Sequence, residues 1–133
     1  MQFITERYGI GGKVDMSYAE AVEKTKEALK GEGFGVLSEI DVQATLKTKI
    51  NADTEPYVIL GACNPTLAHQ ALTAEPDLGL LLPCNVVVYQ RDGAVWVKAI
   101  EPGKMLSVVE NPGVDPIATQ VREKLERVLA AIR

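Results

Sequence analysis

An Asp-Gly pair lies between two predicted strands, and it strongly limits the possible folds. Asp92-Gly93 is typical of a two-residue hairpin turn, because both central residues of such a turn must adopt positive φ. The flanking segments 85–91 and 94–100 are rich in valine and aromatic residues, as strands are. The pattern predicts an antiparallel hairpin in which Tyr89 lies opposite Trp96.

Capping residues predict two helices before this hairpin. Ser17 and Glu20 form a capping box, followed by apolar residues at helical spacing and by Gly31 and Gly33 at the end. A further helix begins at Asn64, where the side chain is an N-cap and the following proline suits the first helical position; Pro76 ends it.

A longer helix is predicted at the end of the chain, over residues 116–132. Asp115-Pro116 is read as its cap. One face carries the apolar residues Ile117, Val121, Leu125, Val128, Leu129 and Ile132.

Three further segments are predicted as strands. Residues 2–14 form the first, which is loosened by Gly9, Gly11 and Gly12. Residues 34–40 form the second, and the almost wholly apolar run 57–62 is typical of a strand buried on both faces.

Residues 42–50 fit two structures. Asp41 can cap a helix in which Val42, Leu46 and Ile50 share a face, whereas the threonines of this segment also suit a strand. Both alternatives stay open at this point.

The elements together predict one α+β domain over residues 1–133. The expected order is β-α-β-α-β-α-β-β-α, with a mixed, mostly antiparallel sheet and helices packed mainly on one face. A chain of 133 residues can bury an adequate core without a metal or disulfide.

The net charge and the apolar content of the chain limit which classes of partner and which cellular location are expected. The net charge is −4, and residues 51–90 contain no Lys or Arg, so neither nucleic acid nor an acidic membrane surface is an expected partner. The N-terminus lacks the apolar core of a signal peptide, and no apolar run approaches the roughly 20 residues that span a bilayer. We therefore expect a soluble, cytoplasmic protein with reduced cysteines.

Three sequence blocks resemble the domain of unknown function 302 family. They are LGACNP at residues 60–65, LLPCN at 81–85 and GFGVLSEIDV at 33–42. The resemblance implies an α+β fold of the TATA-binding-protein-like kind. It implies neither DNA binding nor a catalytic assignment, because function belongs to sites and not to folds.

The two cysteines mark the candidate ligand site, together with Asn64. Cys63 ends a strand just before a helix cap, where free N–H groups favour a thiolate, but free cysteines are also often buried as small apolar residues. Cys84 begins the hairpin. The two thiols lie at one end of the sheet if segments 57–62 and 85–91 are antiparallel neighbours, and at opposite ends if a parallel crossover joins them.

Other candidate groups are weaker. Cys63, Cys84 and the only histidine, His69, have suitable atoms for zinc or copper but lack the short paired spacings of metal motifs, so no metal site is assigned. His69 is expected on a solvated flank of its helix. The carboxylates Glu39, Asp41 and Glu101 are expected at solvated loop ends.

Three functions remain open from the sequence. The favoured one is a small ligand- or metal-binding module with its site near Cys63, Asn64 and Cys84, whose ligand or cofactor is unknown. The alternatives are a thiol enzyme that uses Cys63 in redox or sulfur transfer, and a dimeric interaction protein without chemistry. A homodimer is expected through the hairpin face that holds Tyr89, Trp96 and Lys98, since this mixture is typical of interfaces.

Overall fold

The computed structural model describes residues 4–132, which form a six-stranded antiparallel sheet with five α-helices. The strands are β1 (Ile4–Glu6), β2 (Gly9–Val14), β3 (Gly35–Asp41), β4 (Tyr57–Cys63), β5 (Cys84–Arg91) and β6 (Ala94–Ile100). The helices are α1 (Tyr18–Gly31), α2 (Val42–Ile50), α3 (Pro65–Ala74), α4 (Pro102–Ser107) and α5 (Asp115–Ala130). Short 3₁₀ helices span Pro76–Leu81 and Pro112–Val114.

The sheet order is β1-β2-β6-β5-β4-β3, and every strand pair within residues 4–132 is antiparallel. The α+β class and the terminal helix are confirmed. The predicted hairpin is also confirmed with its register, because Tyr89 pairs with Trp96 and Val87 with Lys98. Asp92 and Gly93 have the positive φ values that this turn requires.

The N-terminal segment differs from the single strand predicted over residues 2–14. Its described part is a hairpin of β1 and β2 that reverses at Arg7 and Tyr8, with φ of 51° at Arg7. Residues 2 and 3 lie outside the described residues. Sequence reasoning missed the turn because Arg7-Tyr8 carries none of the usual turn residues.

The core lies between one face of the sheet and the helices. Val58, Leu60, Val86, Val88 and Val97 are buried on this face, and α1 and α5 contact both the sheet and each other. The opposite face is less covered, since Tyr57 and Ile59 are only half-buried. The prediction that 57–62 is buried on both faces is therefore wrong, because apolar residues on the open face cover one another only in part.

Residues 42–50 form a helix, which decides between the two alternatives. The Asp41 carboxylate accepts the N–H of Ala44 at 2.9 Å, as an N-cap does. None of the side chains of α2 is fully buried, and Ile50 is 70% exposed. The shared apolar face of this helix therefore contributes little to the core.

With Asp41 counted, the helix caps agree with the sequence at three of four places. The Ser17 hydroxyl accepts the N–H of Glu20 at 3.1 Å, and the Asn64 side chain accepts that of Leu67 at 3.2 Å. Asp115, however, is the first helical residue of α5 rather than its cap, since Val114 occupies the cap position without a side-chain bond.

Candidate functional site

Cys63 and Cys84 lie at the same end of the sheet. Strands β4 and β5 are antiparallel neighbours, and Ala62 pairs with Cys84. Both thiols are free; Cys63 is half-buried and Cys84 is buried. The structure therefore excludes the parallel crossover, which would have placed the two thiols at opposite ends of the sheet.

An apolar pocket of about 50 Å³ lies between these thiols and the helices. Asn64 lies at its edge, but the side-chain oxygen of this residue already caps α3. The remaining walls are apolar and come from the end of β4, the segments before β3 and β5, and three helices. They include Phe34, Leu67, Ala68, Ala71, Leu78, Leu82, Met105, Leu106, Ile117 and Val121.

The thiol of Cys84 is held in its protonated form. Burial, and to a smaller extent the neighbouring Cys63, raises the pKa of Cys84 to about 11. Desolvation has this effect because it disfavours the charged thiolate. At neutral pH Cys84 is therefore neither an effective nucleophile nor a ready metal ligand.

His69 does not join the two cysteines. It lies exposed on α3, where its backbone oxygen accepts the hydroxyl of Thr73 at 2.7 Å. Within residues 4–132, no three His, Cys, Asp or Glu residues lie close enough together to hold a metal ion.

The three candidate carboxylates are each engaged in structural contacts. Glu39 forms an ion pair with Lys26 at 2.9 Å, and Asp41 caps α2. Glu101 was expected at a solvated loop end but is only 4% exposed. It accepts the N–H groups of Gly103 and Lys104 at the start of α4 and pairs with Arg122 at 2.7 Å. Because Glu101 and Arg122 are distant in sequence, the spacing of the residues did not predict their ion pair.

The open face of the sheet carries a second candidate site. Tyr57 and Tyr89 stack with ring centroids 5.2 Å apart, and Trp96 lies opposite Tyr89 on β6. The Lys98 ammonium lies 5.1 Å from the Trp96 ring centroid. A groove of about 440 Å³ extends from these residues to Arg7 and Tyr8 at the β1–β2 turn. The predicted hairpin register placed Tyr89, Trp96 and Lys98 on this face. It did not predict that Tyr57 and the β1–β2 turn join them, because the sequence does not identify the neighbours of β4 and β2.

Fold and sites together define an α+β protein with one sheet face covered by helices and a small apolar pocket at the end of β4 and β5. Within residues 4–132, no helix combines the length and apolar character needed to cross a membrane. The chain belongs to the family described as Domain of unknown function DUF302, whose model matches residues 11–132.

One solved structure in this family is very similar. It is the crystal structure of an uncharacterized conserved DUF302 protein from Bacillus stearothermophilus, which is 31% identical. The match covers 96% of this chain and all of that one, with a TM-score of 0.90. No significant match was found among curated proteins. Five statements from the sequence analysis stay predictions. They are ligand binding, the homodimer, the cytoplasmic location, the TATA-binding-protein-like relationship and the exclusion of nucleic acid and membrane partners.

Proposed function

We propose that this protein is a binding module for a small apolar ligand, with its site beside Cys63, Asn64 and Cys84. The observation that carries the proposal is the meeting of both thiols on one apolar pocket at the start of α3. Ligand sites are mostly apolar with a few polar groups at the rim, and this pocket has that character.

The size of the pocket limits the ligand. At about 50 Å³ it is roughly one-third of the engineered 150 Å³ cavity that binds benzene. Only a short alkyl group fits without rearrangement. Cys63, Asn64 and Leu82 are half-buried, so they form the accessible rim along which the rest of a longer ligand would extend.

The thiol-enzyme alternative is less well supported. If Cys63 attacked a disulfide substrate, Cys84 would have to lose its proton to resolve the mixed disulfide. A pKa of about 11 opposes that step at neutral pH. The apolar walls instead suit a ligand that is held without reaction.

Protection of Cys63 from alkylation tests the binding proposal. With 1-hexanol as the probe, we expect slower iodoacetamide labelling of Cys63, measured by mass spectrometry, because the alkyl chain fills the pocket beneath the rim. Ala68→Leu fills the same pocket and should abolish the protection. Ala19→Leu, at an exposed position of α1, is the matched control and should retain it.

Two outcomes would contradict the proposal. One is labelling of Cys63 that is unaffected by 1-hexanol, and the other is equal protection in Ala68→Leu.

The Cys63→Ser variant should unfold cooperatively, since Cys63 is only half-buried at a strand end. Native mass spectrometry of the purified protein shows independently whether a ligand is retained.

A further inference from the structure

We propose that the open face of the sheet carries a second binding site, for a planar aromatic anion. This site lies on the opposite face from the buried thiol of Cys84, so it does not depend on the proposed apolar ligand. The occupant follows from three properties of the groove: its shape, its aromatic walls and its charge.

Glycines on β2 make the groove concave. Gly9 pairs with Ile100 and Gly11 with Lys98, so β2 places no side chains on this face at either position. A Cβ on Gly11 would clash with the carbonyl oxygen of Val97. The resulting volume of about 440 Å³ lies within the roughly 300–1,000 Å³ typical of small-molecule sites.

The walls of the groove present flat aromatic surfaces. The Tyr57 and Tyr89 rings are within 11° of parallel, and Trp96 adds the largest π-surface of the chain beside them. Tyr8, 62% exposed, stands at the turn that bounds the groove. Stacked and edge-on packing favours a planar aromatic ligand over an aliphatic one of equal size.

The phenol of Tyr57 adds a polar contact to this surface. Burial, followed by the neighbouring Tyr89 and Tyr8, raises the pKa of Tyr57, although Lys98 opposes the change. The hydroxyl therefore remains a hydrogen-bond donor at neutral pH.

The charge at the groove is positive. The Lys98 ammonium lies over the rings of Trp96 and Tyr89, at 5.1 and 5.8 Å from their centroids, and the Arg7 guanidinium lies 5.4 Å from the ring centroid of Tyr8. Neither cation forms an ion pair with a carboxylate within residues 4–132. Glu6 is the only acidic side chain among the lining residues, which leaves an excess of positive charge for an anion.

A small ligand suits these features better than a macromolecule. The groove is hollowed by glycines over β2, whereas a second copy of the same sheet would present a matching hollow rather than a protrusion. The groove itself contains two cations. Although Lys13 and Arg91 share this sheet face outside the groove, the net charge of −4 disfavours an extended nucleic acid.

The test uses 2-naphthoate as the probe in an amide NMR titration. Trp96 is the only tryptophan, so its single indole N–H signal reports on this site. We expect that signal to shift on binding. Two matched probes are 2-naphthalenemethanol, which lacks the charge, and decahydro-2-naphthoate, which lacks the aromatic rings. The first should bind about tenfold more weakly, since one charge-assisted contact is of that order, and the second should also bind more weakly because it cannot stack.

Variants of Lys98 identify the cation. Lys98→Met should weaken 2-naphthoate about tenfold while leaving the neutral probe unaffected, and Lys98→Arg should restore most of the binding. Lys49→Met, at an exposed position on α2, is the control. The proposal is overturned by an unshifted indole signal, by equal affinity for charged and neutral probes, or by unchanged binding to Lys98→Met.

Light scattering tests whether a second copy of the chain covers the open face instead of a ligand. The ligand requires an open sheet face, so this proposal stands against the homodimer predicted from the sequence, and a monomer is expected in the presence and absence of 2-naphthoate. A wild-type dimer that Trp96→Glu converts to monomers would show that a second copy covers the open face, and would overturn the ligand proposal in favour of the homodimer.

Discussion

Gly11 shows how strongly one residue can depend on a distant strand. Its φ of +153° is unfavourable for residues with a side chain, and the space where a Cβ would stand is occupied by the backbone of Val97. Gly9, two residues earlier on the same face, meets its nearest neighbour at 3.8 Å, which is ordinary contact. The sequence shows three glycines in this strand but does not indicate which of them lies against the backbone of a neighbouring strand.

Gly11→Ala is expected to lower the free energy of unfolding by at least about 2 kcal/mol, from backbone strain and the clash with β6. Urea denaturation measures the change. Gly9→Ala is the matched control, with an expected change within about 0.5 kcal/mol. Equal stability of the two variants would show that β2 moves away from β6 at little cost.

At the scale of elements, α2 depends on its ends rather than on packing. No side chain of this helix is fully buried, so the hydrophobic burial that stabilises most helices of this length is small here. Its N-terminus is capped by Asp41, and its C-terminus ends at Asn51 in the left-handed conformation, with φ of 53°. Local hydrogen bonds therefore account for much of its stability.

Removal of the N-cap should open α2 without unfolding the sheet. Asp41→Ala is expected to destabilise the helix by about 1 kcal/mol. Hydrogen exchange measured by mass spectrometry should become faster across residues 42–50 and stay unchanged in β4 and β5. Asp41→Asn keeps an acceptor at the cap and should exchange like the wild type. Faster exchange throughout the sheet in Asp41→Ala would contradict this view of α2 as a locally stabilised element.

At the scale of the whole molecule, Glu101 and Arg122 join parts of the chain that are far apart in sequence. Glu101 directly follows β6 and caps α4, while Arg122 on α5 also donates to Thr5 on β1 at 3.1 Å. Burial alone would raise the pKa of Glu101. The hydrogen bond from Arg122 and those from the backbone of α4 outweigh it and hold the pKa below its ordinary value.

This ion pair should make stability depend on pH in the acid range. A lowered folded-state pKa means that the stabilisation is complete at neutral pH and fades as the pH falls below about 4.3, through the folded pKa. Glu101→Gln should cost about 1–2 kcal/mol at pH 7, a modest value because Arg122 is one-third exposed. The difference from the wild type should shrink on acidification, as measured by urea unfolding.

Glu126→Gln is the matched control, because Glu126 also pairs with Arg122 but is 44% exposed. Its expected effect at pH 7 is under about 0.5 kcal/mol. A Glu101→Gln deficit that stays constant from pH 7 to pH 3 would show that the charge of Glu101 does not contribute.

Features that depend on residues a few positions apart could be predicted from the amino-acid sequence. The caps at Ser17 and Asn64 and the hairpin around Asp92-Gly93, with its pairing of Tyr89 and Trp96, were all predictable, because each rests on hydrogen bonds within one turn or one tight loop. The candidate Cys63 and Cys84 site was predictable only as two alternatives.

Contacts between distant segments became known from the three-dimensional structure alone. It brought the two thiols to one end of the sheet, buried Glu101 against Arg122, and left the face with Tyr57 half-buried. Strand order and the side on which helices pack arise from the joint burial of many apolar side chains, so no local pattern encodes them. The same joint packing leaves the open face uncovered within residues 4–132, and with it the groove between Lys98 and the β1–β2 turn.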